Sequence, residues 1–233
     1  MDEEIKIEKV ADEEEQKKTN HIRNFLIIAG IIVAIFILIL SLKFIIPSTP
    51  EVLTLDDLHR LNADNKLDET QGIIYNGYSF VKVETLWYTR VSSVDAIYEI
   101  PLHYTPQDLE DVTVSGSLNH SSDTNEVYFT FNPHEPGEKM KYITLSISEV
   151  AQSMAKAMKK KPVPACDQYA PDLCGNNTEV ITCNNTKKPV IYFKYEPGPA
   201  IELNDNCAVI KGEEDDLVKA AERLILHQLG IMS

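Results

Sequence analysis

The sequence predicts an α+β protein in which an N-terminal transmembrane helix is followed by an extracytoplasmic domain of antiparallel sheet covered by two long helices. Three observations carry this expectation. An apolar run, Phe25 to Ile46, opens with sixteen residues, 25–40, that hold no charge. Two later segments repeat apolar residues at helical spacing, and short alternating stretches stand in groups before each of them.

The apolar run is long enough to cross a hydrocarbon core of about 30 Å, with Lys43 able to extend its amine toward the headgroups. A cleaved signal peptide fits less well, because the run starts late and "SLKFIIPSTP" offers no small-residue cleavage site. Lys6, Lys9, Lys17, Lys18 and Arg23 precede the span, while Lys43 alone follows it closely. The excess of basic residues places the amino terminus in the cytoplasm. The expected organisation is a cytoplasmic tail over 1–24, a transmembrane helix over 25–46, a membrane-proximal linker over 47–71 and an extracytoplasmic domain over 72–233. The lipid bilayer is thus the first expected partner.

Within the linker, Thr54 caps a helical turn over "LDDLHRL". "GIIYNGYSFVKVETLWYTRV" alternates as a small meander, with "YNGY" a tight turn and a second turn near Glu84 and Thr85. "AIYEIPLHY" is a strand whose Pro101, lacking an N–H, belongs at a sheet edge. "TPQDLEDV" is a Thr-capped turn, followed by strands "TVSGSL" and "EVYFTF". A helix between Lys141 and Lys160 buries Ile143, Ile147, Val150, Met154 and Met158, and Pro162 and Pro164 stop it. "TEVITC", "PVIYFKY", "AIELN" and "CAVIKG" follow as strands. A closing helix after Gly212 buries Leu217, Ala221, Leu224 and Leu229.

An apolar fraction of 43% and a charged fraction of 25% are those of a folded chain, although the net charge is −14. Residues 1–46 hold six Lys/Arg and eight Asp/Glu, so the remaining 16 basic and 28 acidic residues leave −12 downstream. Such a surface repels phosphate backbones, and no nucleic-acid partner is expected.

Cys166, Cys174, Cys183 and Cys207 all fall in the exterior segment, where thiols are oxidised. Three pairings are possible in principle. The favoured one joins Cys166 to Cys174 around a short Pro-containing loop and Cys183 to Cys207 between two strands. No CxxC pair supports a structural zinc, and no His lies between Cys166 and Cys207 to activate a thiol. Asn119, Asn176 and Asn184 each begin an Asn-X-Ser/Thr triplet and are candidate glycosylation sites.

No phosphate-binding glycine loop, HExxH, GxSxG or EF-hand loop is present, so no cofactor, metal or catalytic residue is assigned. His59, His103, His120 and His134 are scattered and read as surface or strand residues, and Trp87 with Tyr78, Phe80 and Tyr88 reads as core. The stretches "GYSFVKVETLWYTR", "VITC" followed by "NCAVIKG", and "DDLVKAAERLILHQLGIM" resemble uncharacterised single-pass membrane proteins predicted in archaea. The resemblance implies a cell-surface context and no activity. The functional expectation is an anchored binding or assembly module facing an envelope protein or glycan, of open oligomeric state, more readily than an enzyme. An extracytoplasmic hydrolase and a pilin-like filament subunit are the alternatives.

Overall fold

The computed structural model describes residues 27–41, 53–93, 96–119, 124–176 and 179–233. The chain divides into two compact units, Met1–Val52 and Leu53–Ser233. In the first, residues 27–41 form a helix, α1. No helix among the described residues is long and apolar enough to cross a membrane. The remainder of the expected span, Phe25, Leu26 and residues 42–46, lies outside the described residues.

The second unit opens with helix α2, Leu55–Ala63. Its expected Thr54 cap is present as a reciprocal box. The Asp57 N–H donates to Thr54 Oγ1 at 3.2 Å, and the Thr54 N–H donates back to Asp57 Oδ2 at 3.2 Å. This helix packs on the first two strands and buries His59 and Asn62.

Strands β1 (Gly72–Tyr75), β2 (Tyr78–Val83), β3 (Leu86–Ser92) and β4 (Ile97–Leu102) form an antiparallel sheet in chain order. Asn76 and Gly77 both adopt positive φ, +48° and +82°, as a two-residue hairpin with right-handed twist requires. Ile73, Phe80, Thr89 and Ile100 stand in register across the four strands, and the last three are 0 to 1% exposed. That row is the sheet's inward face. Trp87 and Phe80 are core, and β4, with Pro101, is an edge strand as expected.

A 3₁₀ turn at Gln107–Leu109, held by Thr105, leads into the second sheet. Its strands are β5 (Thr113–Leu118), β6 (Glu126–Phe131), β7 (Lys161–Pro164), β8 (Val190–Tyr195), β9 (Ala200–Asp205) and β10 (Cys207–Gly212), in the order β5-β9-β10-β8-β6-β7. The antiparallel expectation is corrected here. Only β9 and β10 pair antiparallel, and the other four pairings are parallel. Parallel neighbours need a crossover, and helix α3, Gly137–Lys156, supplies one between β6 and β7. Strand β7 is only four residues, and its Pro162 and Pro164 fit the edge it occupies.

Helix α3 and the closing helix α5, Asp215–Gln228, pack on each other and on this sheet. The expected pair of long helices is therefore present. Alternation along the strands produces two cores. Val127, Phe129, Ile191, Phe193, Ala208 and Ile210 belong to the large core with the helices, whereas Tyr128, Val190 and Cys207 join Ala165 and Ile181 in a small second core. Because neighbours in a strand point to opposite faces, the second core lies on the sheet's other side. The segment between β7 and β8 covers that side, and Thr130 Oγ1 donates to the Ile181 carbonyl at 2.7 Å beneath it.

Candidate functional site

Both disulfides join the favoured partners, Cys166 to Cys174 and Cys183 to Cys207. Cys166 follows β7, and Cys174 ends the short helix α4, Pro171–Cys174. Cys207 begins β10, but Cys183 lies in a turn. "TEVITC" is thus not a strand among the described residues. Its sole described ladder contact is a bridge from Val180 to Cys166. The two bonds therefore brace an irregular crossover rather than a sheet. Asn119, Asn176 and Asn184 are all exposed, and the Asn119 amide donates to Asp205 Oδ1 at 2.8 Å.

The polar constellation that sequence reading missed is His103 with Glu149 and Glu222. His103 leaves the end of β4, Glu149 projects from α3, and Glu222 projects from α5. Glu222 is fully buried and holds the departing chain. The His103 N–H donates to its Oε1 at 2.5 Å, and the Tyr104 N–H donates to its Oε2 at 3.0 Å. These two bonds fix the His103 backbone, and the imidazole Nδ1 then stands 3.1 Å from Glu222 Oε1 and 2.7 Å from Glu149 Oε1.

A single Nδ1 hydrogen cannot serve both carboxyls. Nδ1 lies between Glu149 Oε1 and Glu222 Oε1, and Glu149 Oε2 has no donor among the described residues. The Glu149 side chain is nevertheless nine-tenths buried, at 10% exposure, while that of His103 is 41% exposed. The cluster is closed on the carboxyl side and reaches solvent beside the imidazole.

Electrostatics follow from this burial. Desolvation first, and then the neighbouring Glu222 charge, push Glu149 up to about 8, while His103 pulls in the opposite direction. Glu222 also rises through burial, opposed by its bonds from His103 and Tyr104. His103 rises chiefly through its hydrogen bond to Glu222. Tyr104, desolvated and facing Asp215, Glu222, Asp216 and Glu149, is pushed up to about 12. Near neutral pH the site thus holds protons that ordinary carboxyls would release. It can share a proton between carboxyls or exchange protons for a cation.

A second network docks α2. The Asn62 amide donates to Ser79 Oγ at 2.7 Å, and His59 places Nδ1 2.9 Å from Ser79 Oγ and Nε2 3.3 Å from Glu99. Arg90 pairs with both Glu99 and Asp56. Burial lowers the His59 pKa, with Glu99 opposing and Arg90 adding to the shift. His134 is exposed, and His120 lies outside the described residues.

No protein-family model, curated protein or solved structure matches this chain.

Proposed function

We propose that the chain is a membrane-anchored cell-surface protein. In this reading residues 25–46 span the bilayer, the amino terminus is cytoplasmic, and the unit from Leu53 stands outside as a binding or assembly module. Support for the anchor comes from α1. Eleven large apolar side chains between Ile27 and Leu40 are each 49 to 65% exposed, on every face of the helix, which suits a hydrocarbon solvent. The two disulfides suit an oxidising exterior.

The observation that carries the binding reading is the apolar surface on the braced crossover. Tyr169 and Leu173, inside the loop closed by Cys166 and Cys174, are each 69% exposed. A loop held covalently loses little further freedom on binding, so its exposed side chains retain more of their contact energy. A partner with an apolar patch, whether envelope protein or the face of a glycan, matches this surface.

Cross-linking of the native protein in intact membranes, with disulfides unreduced, tests the proposal. Reproducible links to one envelope component, reduced severalfold by the double substitution Tyr169→Ser and Leu173→Ser, are expected. An unchanged link pattern would remove this loop from the interface.

A further inference from the structure

We propose that His103, Glu149 and Glu222 form a binding site for a first-row divalent metal ion of the zinc class. Geometry comes first. One ligand atom from each residue can be chosen so that all lie within 4.8 Å of one another. The tetrahedron around zinc, with bonds near 2.0 to 2.1 Å, separates ligand atoms by about 3.4 Å. Nδ1 of His103 stands 2.7 and 3.1 Å from its two carboxylate neighbours, so shifts of less than an ångström open the site to an ion.

The Glu149 carboxyl is also incompletely satisfied. Glu149 is nine-tenths buried, and while its Oε1 has the imidazole at 2.7 Å, its Oε2 has no donor among the described residues. A buried carboxyl oxygen is ordinarily satisfied, so the second oxygen of Glu149 leaves room for a cation beside the histidine. Two carboxylates and a neutral imidazole offer two negative charges, which a divalent ion balances. Glu222 retains its backbone donors while doing so, because a carboxylate has lone pairs for both. Those donors act as the outer support that orients the ligand.

Chemistry selects the metal. An imidazole nitrogen favours zinc and its neighbours over magnesium or calcium, which take oxygen ligands. Three protein ligands leave a fourth position, and the exposed side of His103 provides the approach. A metal held this way keeps a site for water or for a group on a partner. The excess of acidic over basic residues beyond residue 46 raises the local concentration of cations. This proposal does not rest on the membrane reading.

The test is zinc binding by calorimetry on the purified full chain in detergent, disulfides intact, with Zn²⁺ alone as the probe. One zinc per chain is expected, with Mg²⁺ at least a hundredfold weaker. Glu149→Gln and His103→Ala should each weaken zinc at least tenfold. Neither substitution removes the backbone bonds to Glu222, so each variant is checked for an unchanged circular dichroism spectrum and both disulfides. Absence of zinc binding by the native chain, or a loss smaller than tenfold in either folded variant, would overturn the proposal.

Discussion

In metal-free protein at pH 7, Glu149→Gln raises stability by on the order of 2 kcal/mol, whereas Glu222→Ala lowers it by about 3 kcal/mol. The two carboxyls share one site and carry opposite signs. Glu149, pushed up to about 8, takes up a proton in the folded state that the unfolded chain releases above its ordinary value near 4.5. Between those values the native state binds more protons, so this group's contribution to stability falls as pH rises. Glutamine fills nearly the same volume and has no proton to acquire. The gain should grow from pH 5 to pH 8 and vanish below about pH 4.5.

Glu222 differs because it does structural service. It accepts the His103 and Tyr104 N–H groups as the chain leaves β4, joining that strand to α5. Alanine leaves both donors without their acceptor in a buried place and opens a void, which together account for the expected loss. Denaturant unfolding of both variants across that pH range, in the presence of a chelator, checks the signs. A destabilising Glu149→Gln would mean that both of its carboxyl oxygens are well satisfied and that burial does not disfavour its charge.

Loss of the disulfides ranks with these effects, and the two bonds should differ. Cys183 and Cys207 are separated by 24 positions and Cys166 and Cys174 by 8. Chain-entropy arguments give roughly 3.5 kcal/mol for the longer loop and roughly 2.6 kcal/mol for the shorter. The longer bond also holds the second core, to which Cys207 and Cys183 both contribute beside Tyr128 and Ile181. Replacing Cys183 and Cys207 by Ala should therefore cost about 3 to 5 kcal/mol, and replacing Cys166 and Cys174 about 2 to 3 kcal/mol. Equal losses, measured by chemical denaturation, would contradict the bracing role assigned to the longer bond.

Where the sequence was legible, the signal was local. Asn76-Gly77 specifies a turn, Pro101 specifies an edge, and Leu217, Ala221 and Leu224 mark the buried face of α5. Sheet direction was not legible in the same way. It depends on pairings between strands distant in the chain, such as β5 with β9 and β6 with β8, and the four residues "KPVP" of β7 read as a helix stop and supply no alternation. The stretch "TEVITC" has the apolar content of a strand, but its described residues 179–183 are tied down by the Cys183–Cys207 disulfide and the Thr130 contact without forming a ladder. The site was harder still, since His103, Glu149 and Glu222 come from a strand end and two helices far apart in the chain. One clue existed in "AAERLIL", where Glu222, beside Arg223, sits within a run of small and large apolar residues that is buried throughout. An acid inside such a run is there for a partner, and only the fold identifies His103 and the Tyr104 backbone as that partner.

The orientation of the chain is the claim on which the cell-surface reading depends, and amine labelling of intact cells with a membrane-impermeant reagent tests it most directly. Mass spectrometry would follow Lys66 and Lys161, whose side chains are 61% and 71% exposed, together with Lys6, Lys17 and Lys18 on the other side of the apolar run. The account predicts labelling of Lys66 and Lys161 in intact cells, and of Lys6, Lys17 and Lys18 only after lysis. Labelling of the amino-terminal lysines in intact cells, with Lys66 and Lys161 protected until lysis, would contradict it.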